Sequence, residues 1–140
     1  MNNLCIIPAR GGSKRIPHKN IKLFHGKPII AYVIERALSS GCIDKVIVST
    51  DDNEIAEVAK QYGAEVPFMR PSELADDFSS TGVVIEHALN WLIEHNQQPD
   101  NVCILYATAP FITSTNLKEA LMMLQQQPEK KYCFGVYLIF

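Results

Sequence analysis

Several things are missing from this sequence, and each absence narrows what the chain does. No uninterrupted apolar run approaches the roughly 18 residues that a membrane-spanning helix needs, so neither a spanning segment nor a membrane partner is expected. The signal-peptide pattern is missing too: the apolar residues 4–7 run straight into Pro8, Arg10 and a glycine pair. The four cysteines (Cys5, Cys42, Cys103, Cys133) form no C-x-x-C pair, and no His/Cys cluster has the spacing of zinc ligands. Cys5 and Cys103 lie inside apolar runs, where a thiol usually serves as a small buried hydrophobe, so a reducing cytoplasm is the expected location. A basic excess is also lacking. Thirteen Lys and Arg face 15 Asp and Glu, for a net charge of −2 and a pI near 6.1, and nucleic acid is not an expected partner. Two nucleotide-binding motifs are absent as well: Gly11-Gly12-Ser13 fits neither the dinucleotide fingerprint G-x-G-x-x-G nor the Walker pattern G-x-x-x-x-G-K-[ST].

The residues that are present make an ordinary soluble composition, 47% hydrophobic and 20% charged, in a length of 140 that predicts a single domain over 1–140. Apolar runs and amphipathic segments alternate. "LCIIPA", "KVIVST" and "NVCILYATA" read as buried strands, and "EVPFMR" as a short edge strand interrupted by proline. Between them "PIIAYVIERALSSG" reads as a helix with Pro28 in its first turn and Gly41 as its stop. "DDNEIAEVAKQYGAE" is a helix capped by Asp51 or Asp52 and ended by Gly63. "SSTGVVIEHALNWLIEHN" and "STNLKEALMMLQQQ" are two further helices, and "KYCFGVYLIF" is a last strand. Strands separated by helices of this length predict a doubly wound α/β sheet with parallel strands.

In such sheets ligands sit beyond the carboxyl ends of the strands, and the first strand-to-helix connection is the commonest place. Here that connection runs from residue 8 to about 27, long for its type, and holds Arg10, Lys14, Arg15 and Lys19 beside Gly11 and Gly12. Glycines let backbone N–H groups approach an anion, and the cations neutralise it. Two readings stand at this point: a small-anion loop, or a solvated basic loop around a glycine turn. A second segment, "RPSELADDFSST", places Arg70, Asp76, Asp77, Ser79, Ser80 and Thr81 between a strand end and a helix start, where free N–H groups and hydroxyls bind polar atoms. The plainer alternative is that Ser80 or Thr81 only caps the helix and Arg70 only pairs with Glu73 or Asp76. Asp51 borders the same region, and His18 is read as a solvated loop histidine.

Taken in order, "PARGGSKRIPHKN", "VIVSTDDNEIAEVAKQYGAEVPFMRP" with "ELADD", and "LYATAPF" resemble the cytidylyltransferases that join CMP to nine-carbon nonulosonic acids. The resemblance extends to about residue 136. It implies a Rossmann-like nucleotidyltransferase (GT-A-like) fold: a three-layer αβα sandwich around a mostly parallel sheet. It also implies a reaction in which a sugar-acid hydroxyl attacks the α-phosphate of CTP and pyrophosphate leaves, with Mg²⁺ as cofactor. Carried over by motif, Arg10, Lys19 and Asn20 are the catalytic candidates, Arg10 and Lys19 holding the triphosphate. The backbone of Ala9, Gly11, Gly12 and Ser13 would wrap the nucleotide, while Arg70, Ser80 and Thr81 would read the cytosine edge. Tyr106 and Thr108 fall where the family places sugar-site residues. Tyr106 in "YATAPF", where the sialic acid enzymes carry glutamine, points to pseudaminic acid ahead of sialic acid-like sugars.

The family pattern continues beyond this chain with a stretch that returns a strand to the sheet. That stretch completes the acceptor site, supplies metal-ligating aspartates and often builds a homodimer contact. The sheet is therefore expected to be incomplete at its C-terminal side, with the metal ligands unassigned. Two functional classes remain open: a nonulosonic acid cytidylyltransferase, or a nucleotide-binding fragment without catalysis. A nicotinamide-dependent oxidoreductase is a weaker third, disfavoured by the missing G-x-G-x-x-G.

Overall fold

The computed structural model describes residues 1–12, 16 and 18–135. In chain order its strands are β1 (Asn3–Pro8), β2 (Leu23–Phe24), β3 (Lys27–Pro28), β4 (Lys45–Ser49) and β5 (Asn101–Ile104). Its α-helices are α1 (Ile29–Ser39), α2 (Asn53–Gln61), α3 (Thr81–Glu94) and α4 (Ser114–Gln126). β1 lies between β4 and β5 and is parallel to both, with Cys5 opposite Val46 on one side and Cys103 on the other.

Because successive strand residues point to opposite faces, the unbroken apolar runs feed two separate cores. Cys5, Ile7, Val46 and Val48 pack with Ile30, Val33, Ile34 and Ala37 of α1, Ile55 and Ala59 of α2, and Leu117 of α4. Leu4, Ile6 and Ile47 pack on the other face against Ile85, Ala88 and Leu92 of α3. The result is a sheet between two helical layers, as the alternation of segments predicts. Each of these isoleucines and leucines, once buried, contributes on the order of 2 kcal/mol.

Local chemistry sets the helix ends. Asp52, not Asp51, caps α2: its carboxylate accepts from the N–H groups of Glu54 (2.8 Å) and Ile55 (3.1 Å). Asp52→Ala is expected to cost about 1 kcal/mol of unfolding free energy, measurable as a lowered urea midpoint. Gly41 (φ 78°) and Gly63 (φ 102°) take the left-handed conformation just beyond α1 and α2, which a residue with a Cβ adopts only under strain. Pro28 stands one position earlier than expected, at the N-cap of α1.

Three expectations change. "EVPFMR" is not a strand; only Glu65 bridges to Ile47, and with Pro67 lacking a donor the ladder stops there. "NVCILYATA" is a strand only over Asn101–Ile104, and Ile104 is 46% exposed, because no strand covers the outer edge of β5 among the described residues. Residues 131–135 carry no strand, and 136–140 lie outside the described residues. The long connection after β1 holds a 3₁₀ turn at Lys19–Ile21 and the antiparallel hairpin β2–β3. His25 (φ 50°) and Gly26 (φ 79°) form its tip, the pair of positive φ angles that a two-residue hairpin turn demands.

Candidate nucleotide site

The carboxyl ends of β1 and β5 and the start of α3 border a cleft of about 160 Å³. Its walls include Arg10, Lys19, Asn20, Arg70, Thr81, Tyr106 and Thr108, which come from four separate segments of the chain. Local hydrogen bonds explain why each stands where it does. The chain leaves β1 through Ala9, whose N–H bonds Ser49 O (2.9 Å) and continues the pairing with β4. Asn20, buried in the 3₁₀ turn, donates from Nδ2 to Arg10 O (2.9 Å) and so ties the two ends of the loop together.

Arg70 is the most buried cation of the cleft, 6% exposed. Its Nη2 donates to Ser49 O (2.7 Å), its Nε to Ser49 Oγ (3.2 Å) and its Nη1 to Leu74 O (3.4 Å). The expected alternative pairing with Glu73 or Asp76 is not made; the guanidinium is anchored on neutral oxygens at the end of β4. Burial pushes its pKa below the ordinary guanidinium value, with Asp51 opposing the shift and Arg10 adding to it.

Arg10 forms an ion pair with Asp77. Asp77 follows Asp76, whose Oδ1 accepts from the N–H groups of Phe78 (3.0 Å) and Ser79 (2.7 Å) and from Ser79 Oγ (2.9 Å). The bond from the Ser79 hydroxyl, then the two backbone bonds, lower the Asp76 pKa. The folded carboxyl is thus more acidic than the unfolded one, so the turn is fully held above the ordinary carboxylate value of about 3.9 and is lost as pH falls through the depressed value. The Phe78 and Ser79 amide resonances are expected to stay constant from pH 8 to about 5 and to move only below about 4.

The glycines have different roles. A Cβ on Gly11 would come 2.6 Å from Asp52 Oδ2 and 2.8 Å from Asp52 Cβ, so only glycine fits between this loop and the α2 cap. The Gly11 N–H donates to Asp51 Oδ1 (2.9 Å), while a Cβ on Gly12 would meet open space. Ser13, Lys14 and Arg15 lie outside the described residues. Ser80 caps α3 by accepting from Val83 N–H (3.3 Å), and Thr81 Oγ1 lies 3.3 Å from Tyr106 Oη across the cleft. Ser79, one of the hydroxyls expected at the helix start, also lines the walls, and so do Pro8, Val84 and Ala107, which were not expected there. Among the described residues no group of three or more His, Cys, Asp or Glu is placed to hold a metal ion.

The model of the cytidylyltransferase family matches residues 4–139. The chain belongs to the cytidylyltransferase family. It is 54% identical over 130 residues to a pseudaminic acid cytidylyltransferase of Campylobacter jejuni, an alignment that covers 93% of this chain and 56% of that protein. It is 44% identical to a CMP-N,N'-diacetyllegionaminic acid synthase of Legionella pneumophila, over 86% of this chain and 52% of the relative. Among solved structures, a CMP:2-keto-3-deoxy-manno-octonic acid synthetase complexed with CTP superposes with a TM-score of 0.74 at 28% identity, covering 91% of this chain and 49% of that one. The α/β nucleotidyltransferase fold read from the sequence is the one these neighbours share. The chain spans about half the length of the curated relatives it matches. No helix among the described residues is long and apolar enough to cross a membrane.

Proposed function

We propose that this chain is the nucleotide-binding part of a nucleotidyltransferase domain. In this reading it transfers CMP from CTP to a nonulosonic acid, pseudaminic acid first and sialic acid-like sugars next, with release of pyrophosphate. The observation that carries it is the cleft at the strand ends into which Arg10, Lys19, Asn20, Arg70, Thr81, Tyr106 and Thr108 converge. Arg10 and Lys19 would neutralise the triphosphate, Asn20 would hold the loop that presents Arg10, and the backbone of residues 9 to 13 would follow the nucleotide. Arg70, Ser80 and Thr81, fixed at the end of β4 and the start of α3, would read the cytosine.

The chemistry asked of these residues is positioning and charge neutralisation. A sugar hydroxyl would bond to the α-phosphorus and lose its proton to solvent as the bond to the α–β bridging oxygen breaks, and the negative charge that develops on the leaving pyrophosphate would fall near Arg10 and Lys19. Tyr106 and Thr108 stand beyond β5, beside the nucleotide's place, where an acceptor sugar would meet it. The direct Tyr106–Thr81 contact makes the hydroxyl at position 106 a natural discriminator between sugars. A divalent cation such as Mg²⁺ belongs to the proposal on the strength of triphosphate chemistry.

A pyrophosphate-release assay over the four nucleoside triphosphates and a panel of nonulosonic acids tests this reading. Release is expected only with CTP, Mg²⁺ and a nonulosonic acid, pseudaminic acid giving the highest rate. Tight CTP binding without turnover favours the nucleotide-binding fragment, and release with another nucleotide overturns the CTP assignment.

A further inference from the structure

Two of the donors that the loop after β1 offers to a phosphate are engaged by carboxylates. Arg10 pairs with Asp77, and the Gly11 N–H donates to Asp51 Oδ1. The two acids come from different elements: Asp51 precedes the α2 cap, and Asp77 sits in the turn before α3. Arg70 contrasts with this, since its partners are neutral oxygens and it is buried among them.

We propose that Asp77 and Asp51 compete with the nucleotide's phosphates for Arg10 and the Gly11 N–H, so that nucleotide binding is an exchange of one anion for another. The inference rests on the reading of the cleft as a CTP site. Both carboxylates belong to exposed residues. Asp77 and Arg10 keep about a third of their side-chain surface in water, 29% and 34%, so their pairing is solvent-screened and weak. The neighbouring Phe78 is 93% exposed, so the turn carries no core packing at that position. Asp51 is exposed and is not the helix cap, so its side chain can rotate away while Asp52 keeps α2 capped. Without a phosphate, two guanidiniums share one cleft, and Arg10 disfavours the charge on Arg70 while Asp51 favours it. The carboxylates relieve that repulsion, and a triphosphate, with more negative charge, replaces them.

Calorimetric titration of CTP, in Mg²⁺ buffer, into the chain and four variants tests the exchange. Asp77→Asn and Asp51→Asn are each expected to bind CTP roughly threefold to fivefold more tightly, the gain from removing one solvent-screened competitor. Glu73→Gln, an equal charge change in the same segment but away from the Arg10 pair, is expected to leave affinity unchanged. Arg10→Ala is expected to weaken binding. If Arg10→Ala weakens binding but either Asp→Asn variant binds no tighter than the parent, the exchange is wrong and the nucleotide site stands. If Glu73→Gln tightens binding as much, the effect is general charge and the exchange is again overturned. If CTP does not bind, or Arg10→Ala binds it as the parent does, the site reading fails and the exchange fails with it. Thermal melts of each variant confirm that affinities are compared between folded proteins.

Discussion

Arg10→Ala is expected to weaken CTP binding by about 2 kcal/mol, roughly 30-fold, while the melting temperature barely changes. The two halves of this expectation have separate causes. Arg10 projects from the loop after β1 and is only half-buried; its ion pair to Asp77 is of the solvent-exposed kind that adds less than about 1 kcal/mol to stability. A phosphate in the cleft, by contrast, would receive a charge-assisted and geometrically matched pair of N–H donors. Lysine at this position is expected to restore only part of the affinity, because an ammonium offers a point charge where the guanidinium offers a fork. Calorimetry with CTP, alongside a thermal melt, separates the effects. A variant that binds like the parent would remove Arg10 from the site.

Arg70→Ala should behave differently, losing stability and binding together. Its guanidinium spans the end of β4 and the turn after Pro71, joining Ser49 O, Ser49 Oγ and Leu74 O. Ser49 O keeps a second donor, the Ala9 N–H, so the truncation does not orphan it. The loss is therefore that of the charged hydrogen bonds and the packing of the side-chain stem, about 2 kcal/mol, or roughly 6–10 °C in Tm for a chain of this size. The segment between β4 and α3 would then lose its anchor, so CTP affinity should fall at temperatures where the fold persists. Arg70→Lys is expected to recover little, since one ammonium cannot reach the two chain segments at once. A melt unchanged from the parent would mean that the anchoring described here does not hold the segment.

The sequence made the inner strands and all four helices readable because their signals are local. Four consecutive apolar residues, Leu4 to Ile7, have no alternative to burial on both faces, and Asp52, Ser80 and Thr113 are side chains suited to capping. The failures were cases where neighbours decide. Glu65 pairs but the residues after it do not, and nothing in "EVPFMR" states how far a ladder will run before Pro67 stops it. β5 reads as buried by composition, yet burial depends on what lies across its outer edge. The hairpin was missed because its strands have two residues each, too short for any periodicity, although His25-Gly26 carried the turn signal. For the cleft, the motif order named most of the residues the fold brings together. The side-chain partners were illegible: that Arg10 meets Asp77 across 67 positions, or that Gly11 is required by Asp52, follows from the packing of the loops and from no local pattern.

The central claim is that the cleft at the strand ends is where CTP binds. A ¹⁵N-resolved NMR titration of the chain with CTP, and in parallel with GTP, tests it most directly. CTP is expected to move the amides of Ala9, Gly11, Asn20, Thr81, Ala107 and Thr108 while those in the middle of α1 and α4 stay fixed, and GTP is expected to move none of them by a comparable amount. Shifts confined to another face of the sheet, or equal responses to CTP and GTP, would contradict the account.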